Sequence, residues 1–118
     1  MTNFGLFVGF GAPVEGRETQ AARVFGEAMA YYARLQQQGD IESFEGVLLE
    51  AHGGDLNGFM LLRGDPVKLG MVRASEDWVR LVARAEFVAR GVGVVSAILD
   101  EEAQRLVSAN EAMTADLR

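Results

Sequence analysis

The chain has no cysteine, one histidine (His52), one lysine (Lys68) and two prolines. Without cysteine there is no thiol catalysis, disulfide or thiolate metal ligand, and a reducing, cytoplasmic setting is expected. A single histidine leaves a zinc site short of imidazole ligands, so neither a metal nor another cofactor is expected. No apolar run approaches the ~18 residues of a membrane span. Met1-Thr2-Asn3 lacks the basic start of a secretory signal, so none is expected, and without a spanning run no membrane partner is expected either. The formal charge is -6, a poor balance for nucleic acid, where phosphate contacts dominate affinity. Glycine, by contrast, is abundant, at 14 of 118 residues against an average of about 7%. The length suits one domain over residues 1–118.

Phe4–Phe10 alternates Phe4, Leu6, Val8 and Phe10 with Gly5, Phe7 and Gly9, the period of a strand. From Arg17 to Gln38 the apolar residues Ala21, Val24, Phe25, Ala28, Tyr32 and Leu35 recur at helical spacing, and Gly39 is placed to end the helix. Ile41–Ala51 and Leu56–Arg63 read as strands joined through His52-Gly53-Gly54-Asp55. Asp65-Pro66 starts a helix as N-cap and first helical residue. Gly70 and Ser75 suggest a break and a new cap before a helix carrying Trp78, Leu81, Val82 and Ala85. Gly91 closes that helix, Val92–Leu99 is a fourth strand, and Asp100 is placed to cap a last helix. That helix has Ala103, Leu106, Val107, Asn110, Met113 and Leu117 along one face. The order predicts an α+β, ferredoxin-like split βαβ domain: a four-stranded antiparallel sheet, two main helices on one face, and a C-terminal helix.

The other sheet face is left open. Centring the hairpin on Gly54 pairs Leu49 with Phe59, Val47 with Leu61, and Glu45 with Arg63. These are favourable cross-strand pairs, and the charged one belongs away from the helix-packed core. Phe7, Val47, Leu49, Phe59 and Leu61 then form an apolar patch of the kind monomers rarely expose. Either the C-terminal helix or a second copy covers it. Closed two-fold dimers are the commonest assemblies, and a homodimer is expected. Gly5 and Gly9 lie on the same face, where they would make room for a partner's side chains or a ligand.

Three stretches carry a resemblance: Leu35-Gln36-Gln37-Gln38-Gly39-Asp40-Ile41, Gly58-Phe59-Met60-Leu61-Leu62 and Ser75-Glu76-Asp77-Trp78. With the element order, they resemble the dimeric α+β barrel superfamily, and within it the YCII-related group, over residues 4–99. The resemblance implies a dimer with a pocket between each sheet and its helices or partner. Asp77 matches the aspartate of that group. No histidine lies near the first helix, where the group carries the one proposed to act with it. His52, in a turn, does not match the barrel histidine of haem-binding members, so no haem is expected.

The candidate catalytic residues are His52, Glu45 and Asp77. His52 alone has a side chain suited to proton transfer near neutral pH, although an exposed turn histidine is the plainer reading. Candidate ligand contacts on the open face are Arg63, Glu45, Phe7, Phe59 and Leu61. There Arg63 could hold a carboxylate through its planar fork, or could simply pair with Glu45. Gly9-Phe10-Gly11-Ala12-Pro13 lacks phosphate-loop spacing and reads as a strand end. Tyr31, Tyr32 and Trp78 read as packing residues, although a tyrosine could also donate into a pocket. The expected function is a small dimeric binding or regulatory domain with an apolar cavity on the open face. The alternative is a cofactor-free enzyme moving a proton on a small apolar molecule.

Overall fold

The computed structural model describes residues 3–118. The elements are β1 (Phe4–Phe10), α1 (Glu18–Gln37), β2 (Ser43–Leu48), β3 (Gly58–Arg63), α2 (Pro66–Ala74), α3 (Glu76–Val88), β4 (Gly93–Ile98), α4 (Asp100–Thr114) and a short 3-10 turn η1 (Ala115–Leu117). The strands form one sheet in the order β2-β3-β1-β4, every neighbouring pair antiparallel. This is the ferredoxin-like α+β architecture expected from the alternation of strand and helix periods.

One face of the sheet is buried under α1 and α3. Leu6, Val8, Met60 and Leu62 meet Tyr32 and Leu35 of α1 and Trp78 and Leu81 of α3, all nearly inaccessible. The helix ends follow local chemistry. Asp65 accepts the Lys68 amide at 3.1 Å, with Pro66 where its missing N–H costs nothing. The Ser75 hydroxyl donates to the Val72 carbonyl at 2.7 Å and accepts the Trp78 amide at 3.3 Å. It therefore closes α2 and caps α3 at once, and α2 runs straight through Gly70.

The hairpin departs from expectation. Val47 pairs with Phe59 and Glu45 with Leu61, two residues away from the register centred on Gly54. The connection runs over residues 49–57, held at its base by the Leu49 amide on the Asn57 carbonyl at 2.8 Å. Its centre falls on Gly53, whose φ of 85° is left-handed. A shift of two preserves side-chain parity, so Glu45, Val47, Phe59, Leu61 and Arg63 remain on the open face. Leu49 falls beyond β2 and lines a cleft on the helix side.

The room above Gly5 and Gly9 is filled from within the chain. A Cβ on Gly9 would lie 2.8 Å from the Phe7 ring and 3.2 Å from Leu56. One on Gly5 would strike the Leu62 carbonyl at 2.5 Å and touch Leu61 and Leu99. Close internal packing, not space for a guest, requires glycine here.

The C-terminal helix does not cover the sheet. No residue of α4 is buried, and it packs extensively on no other element of its domain. Asp100 does not cap it; its φ of 52° turns the chain out of β4, and its carboxylate accepts from Arg63 at 3.2 Å. The radius of gyration, 16.3 Å, exceeds the roughly 13–14 Å of a compact chain this long because α4 projects.

Candidate functional site

Along α1 the buried stripe changes size. Towards its end it carries Tyr32 and Leu35, and before them it carries Ala21 and Ala28 with Val24 and Phe25 between. Opposite, α3 has Trp78 and Leu81 near its start and Ala85 near its end. Where the side chains are bulky, the helices and sheet close: the Tyr32 ring lies 6.2 Å from Trp78 and 5.8 Å from Phe44. Where they are alanine, the layers leave a cleft of about 490 Å³, within the ordinary range for small-molecule sites.

The cleft lies at the end of the sheet where β1 finishes. Phe10, Val8 and Met60 form its floor, Ala28 and Ala85 its walls, and Tyr32 also lines it. Exposed Phe25, Leu48 and Leu49 stand at the rim beside Glu18 and Asn57. Most of this lining is apolar. Tyr32 is 3% exposed, and burial, with a smaller contribution from Tyr31, holds its phenol well above the ordinary tyrosine range. It is therefore a neutral hydrogen-bond donor.

A second, polar cleft of about 320 Å³ lies between α1 and α3 and is lined by Tyr31, Arg34, Asp77, Arg80, Glu27 and Arg84 among others. Arg84 grips Glu27 with two bonds of 2.8 Å. The Arg84 hydrogen bond, helped by the charges of Arg84, Arg23 and Arg80, holds the Glu27 carboxyl below its ordinary range against the opposing effect of burial. The Arg34 guanidinium sits 5.2 Å over the Tyr31 ring.

The candidates from the sequence are scattered. Asp77 lines the polar cleft among arginines. His52 stands in the β2–β3 connection, its Nε2 2.8 Å from the Leu56 carbonyl and its Nδ1 accepting the Gly54 amide at 3.3 Å. These partners define the Nε2–H tautomer and occupy both nitrogens. Glu45 and Arg63 do meet on the open face, but at 4.0 Å, while Arg63 hydrogen-bonds Asp100 at 3.2 Å. Arg63 is 26% exposed and its two partners are more than half exposed. The bridge is therefore of the surface kind, worth about 1 kcal/mol or less. Phe7 and Phe59 stack there at 4.9 Å, with Leu61 beside them on the face. Among the described residues no three potential metal-ligating side chains come together, and no helix is long and apolar enough to cross a membrane.

The helix-side cleft and Tyr32's place in it were missed because alanines in an amphipathic stripe read as core. The signal was their place before Tyr32 on the α1 stripe and at the end of α3.

No protein-family model matches the chain, and no curated protein matches it in sequence. Its likeness is to solved structures of ferredoxin-like, dimeric α+β barrel type. A DABB-family protein with a ferredoxin-like fold from Mesorhizobium loti has a TM-score of 0.62 at 12% identity, covering 80% of this chain and 95% of that one. A dimeric protein of unknown function with a ferredoxin-like fold, from Bacteroides fragilis, has a TM-score of 0.58 at 9% identity, covering 82% and 97%. An antibiotic biosynthesis monooxygenase has a TM-score of 0.55 at 13% identity, covering 82% and 96%. At these identities the likeness is one of fold.

Proposed function

We propose that the protein is a homodimeric small-molecule-binding domain, taking an apolar ligand in the cleft between α1, α3 and the sheet. The observation that carries this reading is the cleft itself: about 490 Å³, mostly apolar, with Tyr32 as a neutral donor in its lining. A largely apolar pocket with few polar groups is the usual form of such a site. The ligand class is a compact hydrophobic molecule with one acceptor for a phenolic hydrogen bond. The open-face residues Phe7, Phe59 and Leu61, with Glu45 and Arg63 at the margin, form the surface for a second copy. The apolar character of that face and the dimeric description of the Bacteroides protein support this assignment.

Binding is favoured over the proton-transfer alternative. The titratable groups lining the cleft are Tyr32, kept protonated by burial, and Glu18 at the rim, and neither is paired with a base. Asp77 directly before Trp78 at the start of α3 supports kinship with the YCII-related group, with a changed site. The absence of cysteine supports a cytoplasmic setting.

The test uses anilinonaphthalene sulfonate as an apolar probe, read by fluorescence and thermal shift. At about 100 times its Kd a bound probe raises stability by about 2.7 kcal/mol. Ala85→Trp, which fills the cleft, is expected to abolish both signals while leaving the far-ultraviolet dichroism intact. Binding retained in Ala85→Trp but lost in Phe59→Glu would place the ligand on the open face and overturn the assignment.

A further inference from the structure

We propose that α4 is a dimerisation arm whose apolar seam packs, parallel and in register, against the α4 seam of a second copy. The inference rests on the homodimer proposed above and extends its interface beyond the sheet. Ala103, Leu106, Asn110 and Met113 of α4, then Leu117 in the 3-10 turn η1, follow one another at alternating steps of three and four, the spacing of a two-stranded helical seam. Leu106, Met113 and Leu117 are 43%, 68% and 78% exposed, and nothing in their own domain covers them. An apolar seam held clear of its own core needs a partner.

A stable interface takes about 800 Å² of accessible surface from each partner, and the arm would add to what the sheet face offers. The arm begins beside this face, since Arg63 holds Asp100 and Leu99 reaches over Gly5. Its seam is therefore continuous with the open face and adds about 22 Å of helix.

Seam chemistry selects the occupant. Asn110 sits at a core position, where a buried amide pair fixes register in parallel dimers. At the positions flanking the seam Glu102 would face Val107 of the other copy and Ala109 would face Thr114, so no like charges oppose one another. Arg105, which pairs with Glu102, and Arg118 offset only part of the charge of Asp100, Glu101, Glu102, Glu111 and Asp116, and a net acidic helix disfavours an anionic lipid surface. A helix this short does not pair stably alone; tethering through the sheet face supplies the effective concentration.

The chain lacks cysteine, so an introduced thiol is unique. Under mild oxidation Leu106→Cys is expected to give a disulfide-linked dimer. Ser108→Cys, on the far side of the helix, is expected to stay largely uncrosslinked. In sedimentation equilibrium, Leu106→Glu combined with Met113→Glu is expected to raise the dimer Kd about 100-fold with an unchanged dichroism spectrum. Equal crosslinking at both positions, or wild-type Kd in the double variant, overturns the arm and leaves a sheet-face dimer standing. Dissociation by the double variant and also by Phe59→Glu upholds the arm as an extension of the sheet-face interface. A wild-type chain that is monomeric at micromolar concentration overturns both.

Discussion

Tyr32 shows how one side chain can be read correctly and incompletely. Its position on the helical stripe was legible in the sequence, as was its packing role. Its exposure to a cleft depends on Ala28 and Ala85, which are distant in sequence and meet only in the fold. The raised phenol pKa has a measurable consequence. Below the ordinary value of 10.0, the phenol is neutral whether the chain is folded or not. Above it, the unfolded chain loses this proton while the folded one retains it, so stability falls as pH rises. Thermal melts taken across this alkaline range should show a steeper loss in the wild type than in Tyr32→Phe. His52 teaches the converse. Its neighbouring glycines were plain in the sequence, but the bonds that occupy both its nitrogens depend on a nine-residue connection, residues 49–57, whose shape composition does not set.

At the scale of elements, strands and helices were legible where a cap or a period marks them. β1 has its expected bounds because its alternation is unbroken, and α2 begins where Asp65 and Pro66 place it. β2 is shorter than expected because apolar residues continue past its last ladder pair, Leu48 with Gly58; Leu49 serves the cleft instead of the sheet. The hairpin register slipped by two because either of two adjacent glycines could centre the turn, and only Gly53 takes the left-handed conformation. Ser75 is the junction on which two helices depend. Ser75→Ala should cost about 1–2 kcal/mol in denaturant unfolding, the value of an N-cap with its accompanying bond. Ser75→Asp, which can still accept the Trp78 amide, should recover much of that loss.

For the whole molecule, the sequence showed that one face would need covering but not what would cover it. Amphipathicity alone cannot say whether a helix folds back on its own sheet or projects. The deciding detail is the left-handed Asp100, at a residue type that tolerates that conformation without requiring it. The cleft and the arm therefore lie at opposite ends of β1: the cleft beside Phe10, the arm beside Phe4 where β4 finishes. With this separation, subunits need not part for a guest to enter or leave. The escape rate of a bound probe, measured by stopped-flow displacement, should stay constant as the protein is diluted through its dimer dissociation constant. The molecule would then exchange its cargo on one clock and its partner on another.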